Sequence, residues 1–309
     1  MPGFMAPRRI AILSDSAGWH ERRLQRALAK RGVSSTLLSL HDCSIGHGPP
    51  RHGGLWLPGF AEALPDAVLV RAIPGGSFEQ VTFRLDILHA LRECGVPVYN
   101  DGRAIERTVD KAMTSFLLLR AGVATPPVWV CESTDAAKAI IARESATGRK
   151  LVLKPLFGAR GQGLQLIAEC SALPEPAAYN GMYYLQSFIA NAGPGGRDWR
   201  VLVIGGKAVA AMERHSRHWI TNRARGGECR PTDLTPALAA LAEAATCAVR
   251  ASYAGVDIIR DQNGEFQVLE VNGIPAWRGL QSVCELDIAQ TLADDLLRYV
   301  HIRRLEVAS

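Results

Sequence analysis

The chain has 309 residues, 48% hydrophobic and 21% charged, a composition that excludes a disordered or fibrous protein and suits a folded soluble one. Its formal net charge of +5 comes from basic residues spread along the chain, which excludes a nucleic-acid-binding tail and leaves a modest preference for anionic ligands. Seven cysteines without a CxxC pair point to reduced thiols in a cytoplasm and away from a zinc site.

At the N-terminus, MPGFMAPRRIAILSD holds an apolar run of only four residues, too short for a signal peptide, so RRIAILSD reads as a strand. The spacing of Leu24, Ala27 and Leu28 predicts a helix through WHERRLQRALAKRG that stops at Gly32. VSSTLLSL and DAVLVR (66–71) are predicted strands, and Val81, Leu85, Leu88 and Leu91 set a helix over 78–95. This β-α-β-β-α run predicts an open α/β unit over 1–100. A helix at about 110–121 follows, closed by Gly122 and Pro126-Pro127. Next come strand VWVC, a helix over 134–147, strand KLVLKP, the glycine-rich FGARGQGLQLI, strand MYYLQSF, and a hairpin DWRVLVIGGKAVAAMER turning at Gly205-Gly206. A basic loop (214–231), a helix over 236–251, a hairpin over 254–272, the loop GIPAWRGLQSV and a helix from about 285 complete the chain. Hairpins dominate this second domain, 101–309, which is therefore α+β. No run approaches the about 18 apolar residues of a membrane span, so no membrane partner is expected.

The hairpin AGVDIIRDQNGEFQVLEVN carries acids inside apolar strands. With Asn263 and Gly264 as the two central turn residues, paired positions sum to 527, which sets Asp257 opposite Glu270 and Asn272 on the same face. Opposed carboxylates beside Ile259, Phe266 and Val268 need neutralising. A hard cation with oxygen ligands, such as Mg²⁺ also holding phosphates, would do so. A salt bridge to Arg260 or a distant base, or a different turn register, is the competing reading.

LVLKPLFGARGQGLQLI ends a strand at Lys154 and places Gly158, Gly161 and Gly163 where backbone amides can approach an anion. It is neither a Walker A motif nor a dinucleotide fingerprint. Alone it fits a flexible hairpin equally well; beside a metal hairpin it reads as a nucleotide site.

Lys111 in VDKAMTS, VLKPLFGARGQG, YLQSFI, DWRVLVIGGKAVAAMER, TNRARGG, AGVDIIR and LEVN occur in one order. In that order they resemble the RimK-like ATP-grasp ligases, over nearly the whole chain. The resemblance implies an ATP-grasp fold behind a pre-ATP-grasp domain, with a lid subdomain at about 125–190 and a metal-binding subdomain at about 191–309. It places Lys111 and Lys154 on the phosphates of ATP and makes the glycine loop a lid. YLQSFI becomes the adenine hinge, where Ser187 stands in place of the usual Glu, leaving Gln186 and the backbone of Ser187, Phe188 and Ile189 to meet the base. Asp198 is implied at the ribose, Thr221 and Asn222 near the phosphates, and Asp257, Glu270 and Asn272 as ligands of two Mg²⁺, with Mn²⁺ as a substitute.

The implied reaction transfers the terminal phosphoryl group of ATP to a carboxylate, and an amine then attacks the acyl phosphate. Charge builds on phosphoryl and acyl oxygens, so fixed cations should carry catalysis. Arg200, Arg214 and Arg225 are the candidates, with plain salt bridges as the alternative. After LEVN this chain departs from the ribosomal-protein ligase, so Pro275, Trp277, Arg278 and Gln281, with Arg71, are candidate substrate-binding residues; a Trp packed under the loop is the competing reading. NGIPAWRGLQ and GSFEQVTFRLDILHAL look closest to forms associated with tetrahydromethanopterin-type cofactors, which implies glutamate and the carboxylate of a one-carbon cofactor, tetrahydromethanopterin-like or methanofuran-like, as small-molecule substrates. A ligase acting on a ribosomal or carrier protein and a synapsin-like, non-catalytic ATP binder are the alternatives, and the resemblance admits a homo-oligomer.

Overall fold

The computed structural model describes residues 9–48, 52–158, 161–190 and 195–308. The N-terminal MPGFMAPR and the Ala159-Arg160 step of the glycine loop lie outside the described residues.

Arg9–Leu13 (β1), Trp19–Ala29 (α1), Ser34–Leu38 (β2), a small ribbon of Ser44–Ile45 (β3) and Leu55–Trp56 (β4), Ala67–Val70 (β5), Phe78–Glu93 (α2) and Val98–Tyr99 (β6) build the first unit. Its main sheet is parallel, in the order β2-β1-β5-β6. Alternation along β1 sends Ile10 and Ile12 toward Leu24 and Leu28 of α1, and Ala11 and Leu13 toward Ile87, Leu88 and Leu91 of α2. Both faces are thus covered, as a parallel sheet requires.

Two helices follow, Gly102–Val109 (α3) and Lys111–Arg120 (α4), where the sequence showed only the second. Asp110 ends one and caps the other, its carboxylate accepting from the amides of Ala112 and Met113 at 2.8 and 3.1 Å. A single residue therefore turns the chain without the Gly or Pro that would have marked a break.

Val128–Cys131 (β7), Thr134–Ser145 (α5), Leu151–Lys154 (β8), Gln165–Ile167 (β9) and Tyr183–Ser187 (β10) form an antiparallel sheet, β7-β10-β8-β9. Leu151, Leu153, Tyr183 and Leu185 share one core with Ala137 and Ile141 of α5. Period two therefore sends Lys154, Tyr184 and Gln186 to the other face.

The last unit is Gly196–Ile204 (β11), Lys207–Ser216 (β12), Glu228–Pro231 (β13), Pro236–Val249 (α6), Tyr253–Arg260 (β14), Phe266–Asn272 (β15), Arg278–Gln281 (α7) and Ile288–Ala308 (α8). Its sheet runs β13-β12-β11-β14-β15, antiparallel throughout. β13 falls inside the stretch expected as loop, because an edge strand reading ECRP has no apolar alternation to betray it. On one face Val201, Val203, Val256 and Ile258 pack on Leu238, Ala242 and Ala245 of α6. On the other, Leu202, Ile204, Met212 and Tyr253 join Ile10, Ile12 and Leu24 of the first unit and Leu292 and Leu296 of α8 in a common core. The remainder of that face carries charge. Among the described residues no helix is long and apolar enough to cross a membrane.

The β14–β15 turn differs from the expected one. Arg260 pairs with Phe266 and Ile258 with Val268, one residue out of the 527 register. The loop is three residues, with the Gly264 amide bonded to the Asp261 carbonyl at 3.1 Å and Gly264 at φ +90, a turn that puts its glycine in the left-handed region after the bend. A bulge between Asp257 and Ile258 then restores the register, and Asp257 does stand opposite Glu270.

Candidate active site

Across the last sheet, Arg200 stands opposite Asp257, Asp257 opposite Glu270, Gly255 opposite Asn272, and Asp198 opposite Arg214. Pleating puts these side chains on the face that the first unit leaves uncovered. The β7-β10-β8-β9 sheet closes over them, and residues of both sheets line one cleft between the two.

Charged groups in this cleft come from three elements: Lys111 from α4, Lys154 from β8, and Asp198, Arg214, Asp257 and Glu270 from the last sheet. Burial pushes the Lys154 ammonium down to about 8, against the pull of Glu270 and Asp257, and Lys111 beside it adds to the fall. Burial lowers Lys111 as well, with Glu270 and Asp110 opposing. Lys154 donates to the Gln186 amide oxygen, and Lys111 donates to the carbonyls of Leu156 and Gly158 at 3.2 and 2.9 Å. Two lysines beside a glycine loop suit polyanionic oxygens.

The acids are held differently. Burial alone would raise Asp257, but Arg200 and Arg214 reverse this and hold its carboxyl below the usual range. Arg200 forks onto it at 2.6 and 2.7 Å, and Arg214 reaches it at 3.0 Å. Glu270 has no side-chain partner among the described residues. The Asn272 amide nitrogen makes only a 3.4 Å contact to the Gly255 carbonyl, which leaves its oxygen an open acceptor. Two opposed carboxylates and an amide oxygen are the donor chemistry of a hard divalent cation, and the guanidinium on Asp257 shows that the spot accepts positive charge. These residues fit Mg²⁺.

A RimK-like ATP-grasp domain matches residues 108–296, and a RimK pre-ATP-grasp domain matches residues 8–105. The chain belongs to the RimK-like ATP-grasp family. This is a family of carboxylate–amine ligases. The chain is 38% identical over 230 residues to a tetrahydromethanopterin:alpha-L-glutamate ligase of Methanococcus maripaludis, covering 72% of this chain and 77% of that one. It is 30% identical over 325 residues to the Methanosarcina acetivorans protein of the same name, covering 93% and 97%. The same fold occurs in an ATP-grasp ligase, PsnB, solved with a minimal precursor, Mg and ADP: TM-score 0.70, 20% identity, covering 94% of this chain and 98% of that one.

Set on this ATP-grasp frame, Gly158, Gly161, Gln186, Ser187, Phe188, Ile189, Thr221 and Asn222 also line the cleft, as does Lys154. The hinge works differently from expectation. The Ser187 amide donates to the Pro127 carbonyl at 2.8 Å and the Phe188 amide to the Lys150 carbonyl at 2.9 Å, so both are spent on the sheet. Of the three amides the sequence offered, only that of Ile189 has no partner among the described residues. Period two along β10 puts the Ser187 side chain on the side of Leu185, away from Gln186, because the two alternate. Both the Ser187 hydroxyl and the Gln186 amide nitrogen are buried without a partner.

Asp198 does not stand free for a ribose. It is buried, forked by Arg214 and bonded by the Thr221 hydroxyl at 2.7 Å, which makes it the post that fixes both. Arg214 is itself buried, with its Nε and Nη2 held by Asp198 and Asp257. Arg225 is exposed in the short turn 223–225, outside the cleft lining, because that turn carries it to the surface. Gly163 also lies outside the lining, against Pro155, and Arg200 touches the site only through Asp257.

The expected acceptor residues are not in this cleft. Trp277 is 1% exposed, with its ring 4.9 Å from Trp19 and 4.8 Å from His20; it wedges α7 onto α1. Gln281 spends its amide on the loop after it, donating to the Leu286 carbonyl at 2.7 Å and accepting from the Ile288 amide at 3.0 Å. Arg71 is buried and donates to the Pro275 carbonyl at 3.0 Å and the Tyr253 hydroxyl at 3.3 Å, so Arg71 and the buried Pro275 join the first unit to the last. Arg278 is exposed and lies over Trp19. Trp219 was missed. It lines the cleft with its ring edge on Phe188, 5.8 Å away, while Val152, Leu164 and Leu269 supply apolar walls. Its loop HSRHW has no periodicity to signal this.

Proposed function

We propose that this chain joins L-glutamate to a carboxylate of a one-carbon cofactor of the tetrahydromethanopterin type, with ATP as the source of driving force. The observation that carries the reading is one cleft holding Lys111 and Lys154 opposite Asp257, Glu270 and Asn272. The acceptor and the amine are supported by the names of the relatives that match most of the chain.

A carboxylate resists an amine at neutral pH because its leaving group is effectively oxide. Phosphorylation turns that oxygen into a leaving phosphate. Lys111 and Lys154 bind the phosphate oxygens from the side of the glycine loop, and the Ile189 amide with Val152, Leu164, Leu269 and Trp219 receives the base. Asp257, Glu270 and the Asn272 oxygen would hold magnesium, which supplies charge neutralisation on the phosphates when bound. Asp198 fixes Arg214 and Thr221 as a rigid wall, so this side of the cleft need not reorganise when the substrate binds. The amine of glutamate then attacks the acyl phosphate, and an amide, ADP and phosphate leave.

The reading is checked by ADP release with Mg²⁺-ATP, glutamate and tetrahydromethanopterin, with mass spectrometry of the products. ADP formed only with all components, and an acceptor heavier by one glutamyl unit, is the expected result. ADP release that ignores the pterin but follows an added ribosomal or carrier protein would replace the acceptor.

A further inference from the structure

Among the described residues Arg200 holds both oxygens of Asp257, a candidate metal ligand, while Arg214 reaches one of them. The Arg200 Nε and Nη2 donate to the two oxygens of Asp257 at 2.6 and 2.7 Å. The residues are directly opposed on β11 and β14, so the backbone itself sets the fork. Asp257 is 4% exposed and already shares a third contact with Arg214, which leaves little room for another partner. Glu270 beside it has no such partner among the described residues. The donor set is therefore uneven: one carboxylate bound by two guanidinium groups, the other without a hydrogen-bonded side chain among the described residues.

A divalent cation reaching Asp257 meets lone pairs that Arg200 holds, and two cations on one buried carboxylate repel strongly. We propose that Arg200 competes with the metal for Asp257, so that metal alone loads poorly and metal carried by nucleotide loads well. The phosphates provide the negative charge that compensates both the ion and the guanidinium it displaces. Arg200 is in this sense a positioning residue and a gate on metal loading, and the inference rests on the reading of Asp257, Glu270 and Asn272 as magnesium ligands. The cations that line the cleft lack this arrangement: Lys111 is bonded to carbonyls, Lys154 to Gln186, and Arg214 places its fork on Asp198 and only a single 3.0 Å contact on Asp257.

The test is Mn²⁺ binding by the full chain, followed by electron paramagnetic resonance without nucleotide, for wild type, Arg200→Gln, Arg200→Lys and Lys154→Gln. Lys154→Gln removes a cation from the same cleft without touching a hydrogen bond to Asp257, so it measures the general electrostatic effect. Arg200→Gln should bind Mn²⁺ about tenfold more tightly than wild type, Arg200→Lys should fall between, and Lys154→Gln should gain less than about threefold. Adding ADP should shrink the difference between wild type and Arg200→Gln. Equal affinity in wild type and both Arg200 variants, or an equal gain in Lys154→Gln, would overturn the gate. Absence of Mn²⁺ binding in every protein, with ADP present, would instead overturn the metal reading beneath it. Arg200→Lys keeps the charge and the packing, so the comparison survives a misfolded glutamine variant.

Discussion

Asp257 and Glu270 are paired by register yet differ in what their removal should do. Glu270→Gln removes an acid without a partner, so thermal stability should stay near wild type while ATP-dependent amide formation falls at least about a hundredfold. Asp257→Asn should lose activity and also stability, by roughly 3 kcal/mol, because it removes the charge partner of Arg200 and one of the two partners of Arg214 in a buried site. Denaturant melts of the two variants check this, and equal stability would contradict the ion-pair network. Opposed acids by themselves would make an amide at Asp257 a relief of repulsion; Arg200 across the sheet, 57 residues away in sequence, reverses that sign. Lys154 supplies a pH dependence. Its folded value is about 8 against an ordinary 10.5, so between those limits the unfolded chain holds the extra proton. This group therefore adds stability as pH rises through that window and adds none below it. Nucleotide affinity runs the opposite way, since the phosphates need the ammonium. It should drop about tenfold from pH 7.5 to 9.5, and Lys154→Arg, always charged, should flatten the profile measured by calorimetry.

Among the elements, the glycine loop and the metal hairpin show how local patterns meet tertiary demands. Gly161 has φ +68, and a Cβ there would run into the Asn222 side chain and lie 3.1 Å from Ile220. Gly161→Ala should therefore weaken nucleotide binding about tenfold by pushing the loop off Asn222, with little change in melting temperature, because the loop contributes little core. An unchanged nucleotide dissociation constant would show that the loop does not need this close approach. The role of Asn222 there was legible only as a family position. In the hairpin, the alternation of apolar residues made both strands readable. The turn was not, since Asn263-Gly264 suits a two-residue and a three-residue loop alike, and only packing of Ile258 and Val268 against α6 selects between them. A bulge kept Asp257 and Glu270 opposite in spite of this.

Over the whole molecule, the first unit is bolted to the last through Asn100. Its amide nitrogen donates to the Tyr253 and Gly273 carbonyls at 2.7 and 2.6 Å, and its oxygen accepts from the Ser252 and Tyr253 amides at 2.7 and 3.2 Å. Tyr99 beside it stacks on Tyr253 at 5.0 Å and donates to Asp295 at 2.6 Å. Asn100→Ala leaves these buried backbone groups unpaired and should destabilise the chain by about 3 kcal/mol, read by chemical denaturation. A loss below about 0.5 kcal/mol would mean that water replaces the side chain.

The sequence by itself determined the strands and helices whose apolar period is strong and the lysines, glycines and acids of the cleft, because each of these depends on spacing within a short segment; the family showed as a resemblance in the order of motifs along nearly the whole chain. Tertiary structure alone decided that Asp257 is sheathed by arginines, that Asp198 is a post for Arg214 and Thr221, and that Trp219 walls the cleft while Trp277 fills the core. Those outcomes depend on which faces of separate strands and loops are brought together, and beyond a single hairpin no local pattern of residue types encodes the neighbour across a sheet or a domain interface.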